Sequence, residues 1–182
     1  IVDDVKPEGD DFAAKWMRNR ITEVKIEVDK LFKDFKLSEA LKTIYSLIWD
    51  DFCSWYLEWQ KPEFGGATIN AKLQATIGFF EELLQLLHPY MPFISEEIYH
   101  QLRAQTEDLS IKQFGAIGDV DDRIITQGEL LKSVISAVRD ARVKNNIKNK
   151  EVISLYIQAD KKADYQPLFE ILKKQVNADK ID

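Results

Sequence analysis

The sequence contains little cysteine, histidine, glycine or proline, and it has no long hydrophobic run. Its single cysteine, Cys53, excludes an internal disulfide, and one cysteine with two histidines is too few for a standard structural zinc site. We therefore expect a reducing compartment, with the cytoplasm as the default. No stretch approaches the ~18 to 20 apolar residues of a membrane span, so we expect no membrane partner.

The composition predicts a folded chain. Only 7 Gly and 5 Pro occur among 182 residues, and 45% of the residues are hydrophobic, which argues against disordered and low-complexity classes. The length suits one domain with a small appendage. The chain begins with Ile1 rather than methionine, which suggests a processed chain or a piece of a longer one.

The net charge of −6, taken as an average, argues against a nucleic-acid partner. Charge is unevenly distributed, however, because residues 62–128 have a net charge of −6 whereas residues 129–150 carry six Lys or Arg against two acids. The basic side chains of residues 129–150 are Lys132, Arg139, Arg142, Lys144, Lys148 and Lys150. They are candidates for phosphate contact, and the alternative is that they stabilise the C-terminal end of a helix.

Apolar residues at helical spacing predict a mainly α chain, with an antiparallel helix bundle over residues 11–127. Ser38 and Ser95 are expected to be N-caps, and Pro62 and Pro89 are expected to end the preceding helices. The predicted helices of the bundle are 11–35, 38–61, 69–87 and 95–105.

The remaining segments are an N-terminal tail, residues 1–10, and a partial α/β appendage, residues 128–182. Residues 106–126 read as a loop with a short strand at 110–114. The appendage is expected to hold the basic helix, about 128–144, then a strand at 152–157 and a helix at 165–174. A lone strand cannot form a sheet, so we expect the appendage to be truncated.

No catalytic constellation is visible. Nothing places Cys53 beside His88 or His100 as a nucleophile needs, and adjacent acids such as Asp50-Asp51 point about 100° apart on a helix. The sequence also has no Gly-rich phosphate loop and no metal-ligand spacing. We therefore expect no catalytic residue, no metal ion and no cofactor in this chain.

Aromatic residues are dense in the second predicted helix. At helical spacing they more often form a core than a stacking platform for bases, and most of them are expected to be buried. Trp49 lies between the apolar stripe and the polar face, so it is the ring expected to reach the surface. Lys61, at the end of the same polar face, is a further candidate contact.

Two motifs carry a family resemblance. Residues 48–58, Ile-Trp-Asp-Asp-Phe-Cys-Ser-Trp-Tyr-Leu-Glu, followed by Lys61-Pro62, closely resemble the signature of the anticodon-binding helical domain of valyl-tRNA synthetases. Residues 87–98, from Leu-His-Pro-Tyr-Met-Pro onward, resemble a second block of that domain, which related class I synthetases share. With residues 15–21 these blocks follow the family's order, and the resemblance covers roughly residues 12 to 160. The isoleucyl-tRNA synthetase domain is the near alternative.

The resemblance implies a helical domain that binds the anticodon arm of tRNA(Val). Aminoacylation, with its ATP, would belong to a catalytic domain of an ATP-dependent valine–tRNA ligase that is absent here, so the implied partners are tRNA(Val) and the rest of the synthetase chain. Arg139 and Arg142 are similar to the family's arginines on this helix and are implied backbone contacts. Lys148 stands where the family often has proline. The full candidate set for tRNA binding is Arg139, Arg142, Lys144, Lys132, Trp49 and Lys61. A non-catalytic helical protein-interaction module is the remaining alternative.

Overall fold

The chain forms two compact units, residues 1–120 and 121–182, in a computed structural model that describes residues 2–3, 11–62, 65–102, 107–158 and 165–182. The first unit is mainly helical, as predicted. Its elements are β1 (Val2–Asp3), α1 (Phe12–Lys33), α2 (Leu37–Ser46), a π-helix (Leu47–Tyr56), α3 (Leu57–Gln60), β2 (Thr68–Ile69), α4 (Asn70–Leu87), α5 (Pro92–Leu102) and a 3₁₀-helix (Leu109–Ile111). Of the predicted tail, only residues 2–3 lie within the described part, and they pair in parallel with β2.

The helix α1 supplies the centre of the first unit. It begins after Asp11, whose Oδ1 accepts a hydrogen bond from the Ala14 amide at 3.1 Å and so satisfies one of the unpaired donors of the first turn. Its buried face contacts α2, the π-helix and α4. Trp16 and Met17 are fully buried there, and Trp16 packs on Trp59 with ring centroids 4.8 Å apart. The prediction of a helical bundle is therefore confirmed.

The second predicted helix is interrupted by ten residues of π-helix, from Leu47 to Tyr56. A π-helix closes hydrogen bonds from i to i+5 and is rare, and it is often found at functional sites. Sequence periodicity did not predict it. The π-helix lies between α2 and α3. Helix α3 ends at Gln60, just before Lys61, so the predicted end of this helical region is confirmed.

Both predicted N-caps are wrong. Helix α2 begins at Leu37, one residue before Ser38, and the residue that precedes it is Lys36. Ser95 lies inside α5 and is fully buried, with its Oγ 2.8 Å from the Met91 carbonyl oxygen. Helix α5 begins earlier, at Pro92, because the fixed φ of proline suits the first turn of a helix.

The predicted strand at 110–114 is also wrong, because the structure has a 3₁₀-helix over Leu109–Ile111 instead. Leu109 is buried against Leu84 and Tyr99. This small cluster fastens the loop to helices α4 and α5.

The second unit is a helix followed by a β-α-β arrangement. Its elements are α6 (Asp122–Lys144), β3 (Ile153–Leu155), a 3₁₀-helix (Gln166–Leu168), α7 (Phe169–Val176) and β4 (Ala178–Ile181). Helix α6 begins at Asp122, earlier than the predicted 128, because the Asp121 carboxylate caps it by accepting from the Arg123 amide at 3.0 Å. Strands β3 and β4 pair in parallel. The expectation of a lone strand is therefore wrong.

Hydrophobic residues from α6 and α7 form the core of this unit. Leu131 and Ile135 of α6 are buried, as are Leu172 and Val176 of α7. Within the described residues, no helix is long and apolar enough to cross a membrane.

Candidate nucleic-acid interface

Two aromatic rings stand exposed on one helical face of the first unit. Tyr45 on α2 and Trp49 on the π-helix are 60% and 58% exposed, and their rings stack with centroids 6.4 Å apart and planes 16° apart. Phe52 and Tyr56, from the same helical stretch, are buried instead. The prediction that Trp49 reaches the surface is confirmed, and Tyr45 is a second aromatic of the same predicted helix that is exposed instead of buried.

A partly buried ion pair between Asp51 and Arg20 lies on the side of the π-helix that faces away from Trp49. Asp51 is 5% exposed, and its Oδ2 accepts hydrogen bonds from Arg20 Nε at 3.0 Å and from Arg20 Nη2 at 2.8 Å. Burial lowers the pKa of the Arg20 guanidinium, but the Asp51 and Glu23 carboxylates outweigh burial and hold that pKa above its usual value. The neighbouring Asp50 is exposed and accepts a hydrogen bond from Ser46 Oγ. The two adjacent acids thus face different surroundings, as predicted.

Lys61, the other candidate on this helical stretch, lies at the end of α3. Its side chain is 60% exposed and forms an ion pair with Glu58 one turn earlier. An exposed pair of this kind contributes little to stability.

The basic side chains of helix α6 differ in how far they are exposed to solvent. Arg139 and Lys144 are exposed, and Arg139 Nη2 lies 3.1 Å from Gln175 Oε1. Lys132 is largely covered, with a side chain 14% exposed and paired with Glu129 at 2.9 Å. Arg139 and Lys144 are therefore the more accessible candidates of this helix.

Arg142 is 3% exposed, unlike Arg139 one helical turn away. Its Nη1 donates to the Lys148 carbonyl oxygen at 2.8 Å, and its Nη2 donates to the carbonyl oxygens of Glu151 at 2.9 Å and Val176 at 2.6 Å. These bonds tie the end of α6 to the segment before β3 and to the end of α7. Its low exposure and these carbonyl partners favour a structural role for Arg142 over the direct phosphate contact implied for it.

The turn at Lys148, where a proline was expected by resemblance, is closed by hydrogen bonds. The Lys148 amide donates to Glu151 Oε1 at 2.9 Å, and the Glu151 amide donates to the Lys148 carbonyl oxygen at 3.0 Å. The first of these bonds requires an amide N–H, which proline lacks.

The candidate reactive groups are engaged elsewhere. Burial raises the pKa of the Cys53 thiol, which is the opposite of activation as a nucleophile. His88 Nδ1 lies 2.8 Å from Ser95 Oγ, and His100 Nε2 lies 3.1 Å from Asp108 Oδ1. In the part of the chain that the structure describes, neither histidine is paired with Cys53.

Glu96 joins His100 and Asp108 in a cluster whose ligand atoms lie within 4.8 Å of one another. The Glu96 carboxylate accepts hydrogen bonds from the amides of Leu109 at 2.6 Å and Ser110 at 3.1 Å. These bonds satisfy the first amides of the 3₁₀-helix, so the cluster has a structural role in fastening the loop.

The two units differ in net charge. Residues 1–120 hold thirteen Lys or Arg against twenty-one Asp or Glu, whereas residues 121–182 hold twelve against ten. The stacked Tyr45 and Trp49 therefore lie on a strongly acidic unit, and Arg139 lies on a mildly basic one.

Comparison with known proteins gives a family and several relatives. A family model described as the anticodon-binding domain of tRNA ligase matches residues 14–157. A valine–tRNA ligase of Parabacteroides distasonis is 40% identical over 160 residues, which cover 86% of this chain and 18% of that protein. The valine–tRNA ligases of Porphyromonas gingivalis and Enterococcus faecalis are 41% and 35% identical over 152 and 154 residues, or 82% and 81% of this chain and 17% of each relative. The chain thus spans less than a fifth of the length of these relatives.

Proposed function

Because this chain belongs to the anticodon-binding domain family of tRNA ligases, we propose that it binds the anticodon arm of a tRNA. The family match is the observation that carries the proposal. It covers residues 14–157 and so includes both the stacked pair on the first unit and the basic helix of the second.

We propose further that the tRNA is tRNA(Val) and that the chain is part of a valine–tRNA ligase. The relatives at about 40% identity carry that name, which favours valine over the isoleucine alternative. Ligation itself, with its ATP, then takes place in a part of the synthetase outside these residues. The role of these residues is to hold the tRNA in position.

The chemistry of the two surfaces suits unpaired bases and backbone phosphates respectively. Anticodon bases are single-stranded, and they can stack on exposed aromatic rings such as those of Trp49 and Tyr45. Arg139 and Lys144 are placed for backbone contacts, which position the RNA without reading its sequence. Lys132 and Lys61 are weaker candidates, because each is already paired with a glutamate. Arg142 is left out as a direct contact.

A binding titration with matched aromatic variants tests the proposal. Trp49→Ala is expected to weaken binding of a fluorescent tRNA(Val) transcript by a factor of about 5 to 150, because stacking on one base contributes about 1–3 kcal/mol. Phe93→Ala is the control, since Phe93 is a 90% exposed ring elsewhere on the first unit. Thermal unfolding should change little in either variant.

The same titration separates the alternatives. A transcript with a changed anticodon should bind more weakly than tRNA(Val) to the parent protein. Equal binding of every RNA of similar length would remove the claim of anticodon recognition. If no RNA bound and the protein instead associated with itself through the face of Trp49, the protein-interaction alternative would replace the proposal.

A further inference from the structure

A pocket on the second unit is lined, among the residues that the structure describes, by cations, amides and two valines, with no carboxylate. It has a volume of about 380 Å³, which lies within the range of small-ligand pockets. Its lining residues are Arg139, Arg142, Val143, Asn149, Lys174, Gln175, Val176 and Asn177. Two elements thus supply its cations, α6 and α7, and both belong to the unit that carries the net positive charge.

The wall of the pocket contains the buried positive charge of Arg142, which donates hydrogen bonds to backbone carbonyl oxygens. Within the described residues the Arg142 guanidinium has carbonyl oxygens and no carboxylate as partners, and its Nε is buried without a hydrogen-bond partner. A charge away from water is weakly screened, so its field extends into the adjoining space. The pocket is therefore a favourable place for an anion.

Two exposed cations line the same pocket. Arg139 contacts Gln175 Oε1, which holds its guanidinium against α7, and Lys174 precedes that glutamine in the chain. On the other side, Asn177 Nδ2 lies 3.4 Å from the Asn149 carbonyl oxygen and 3.3 Å from that of Glu151. A guanidinium and an ammonium on one opening offer several donors to the oxygens of one phosphate.

We propose that this pocket binds a backbone phosphate of the tRNA. The inference rests on the proposed function and adds a specific contact to it: Arg139 and Lys174 donate to the phosphate oxygens, while Arg142 builds the wall and supplies buried charge. Lys174 was not among the residues that sequence reasoning singled out. Because a phosphate carries no base identity, the contact contributes affinity equally for every tRNA.

Salt dependence of binding is the measurement that isolates this contact. Lys174→Gln is expected to lower the slope of log K against log salt by about 1 and to weaken binding on the order of fivefold at moderate salt. Lys180→Gln makes the same charge change on β4, away from the pocket lining, and should leave the slope unchanged. The loss in Lys174→Gln should be the same for tRNA(Val) and for a transcript with a changed anticodon. Equal slopes for the two variants would overturn the proposal.

Inorganic phosphate, followed by amide shifts in NMR spectra, separates failure of the pocket from failure of the function. If tRNA binds and Lys174→Gln leaves its slope unaltered, the pocket proposal fails and the proposed function stands. If tRNA does not bind and inorganic phosphate shifts the amides of Asn149 and Gln175, the proposed function fails. The pocket then binds phosphate, but the proposal that this phosphate belongs to a tRNA fails as well. Support requires tRNA binding, a reduced slope, and a shift by phosphate that Lys174→Gln diminishes.

Discussion

Replacing Arg142 by methionine should strongly destabilise residues 121–182 while leaving the stability of the first unit unchanged. Methionine keeps a flexible apolar side chain in the space of the arginine stem but removes the charge and all five N–H donors. The carbonyl oxygens of Lys148, Glu151 and Val176 would lose donors at 2.6 to 2.9 Å. These three carbonyls belong to the chain before β3 and to the end of α7, so the variant removes hydrogen bonds that join these two segments.

The expected loss in the free energy of unfolding follows from those hydrogen bonds. A hydrogen bond from a charged donor contributes about 1.5–3 kcal/mol, and three such bonds set an upper bound of about 9 kcal/mol. The cost of burying the guanidinium offsets part of this, which leaves a net loss of about 3–5 kcal/mol. Folded domains have about 0.05–0.15 kcal/mol of stability per residue, so a unit of the size of residues 121–182 has about 3–9 kcal/mol in all. The variant should therefore lose most of the stability of that unit.

Hydrogen exchange of individual amides measures this loss locally. The amides of Ile153 and Ile157 donate to the carbonyl oxygens of Asn177 and Asp182, and both should lose protection in Arg142→Met. Amides within α1 should not change. Arg139→Met, the same substitution at the exposed arginine one turn earlier, should alter stability by less than about 0.5 kcal/mol. If Ile153 kept its protection within about 1 kcal/mol in Arg142→Met, the reasoning about the carbonyl contacts would be refuted.

Two further predictions concern the first unit. Burial raises the pKa of Glu82, but hydrogen bonds from Lys25 and Arg18 outweigh burial and lower that pKa below its usual value, so the stability that Glu82 contributes is present above the unfolded-state pKa and lost as the pH falls. Glu82→Gln should thus destabilise the protein by about 1–2 kcal/mol at neutral pH and by little once the pH is below the lowered pKa of Glu82 in the folded state. Urea titrations on the two sides of that pKa would measure this, and a pH-independent difference would contradict it. Phe35 is 89% exposed with φ of 57°, so Phe35→Gly should stabilise the protein by about 0.5–1 kcal/mol, and a lower denaturation midpoint would show that the ring has an energetic role.

Helix positions could be predicted from the sequence because they depend on the spacing of apolar residues, but the local details could not. Ser38 and Ser95 have the side chains of N-caps, yet Pro92 starts α5 and leaves Ser95 in its interior. The π-helix escaped prediction because residues four apart, such as Phe52 and Tyr56, lie on one face of either helix type. Strand β4 escaped because Ala-Asp-Lys-Ile has no β-branched run, and only its pairing with β3 makes it a strand.

The scarcity of glycine has a structural consequence that composition alone did not indicate. Helices often end with a glycine of positive φ, but here Phe35, Asn146 and Asn177 take that conformation after α1, α6 and α7. After α6, the amide of Ile147 donates to the Arg142 carbonyl oxygen at 2.9 Å, which turns the chain back over the arginine side chain. Asparagine tolerates this conformation better than other side chains do. The pocket of the second unit therefore depends on two such turns, one at each helix that supplies its cations.

The two arginines of α6 show why a pattern of charges does not separate an exposed side chain from a buried one. Arg139 and Arg142 are one turn apart and chemically identical, so a pattern of charges gives both the same role. Their environments differ because α7 ends at Val176, where its carbonyl oxygen meets Arg142 and leaves Arg139 beside Gln175 at the surface. The side chain that completes the basic opening, Lys174, is more than thirty positions away in the sequence. A phosphate site built in this way is a property of the folded unit, and the positive excess of residues 129–150 shows only one of its two sides.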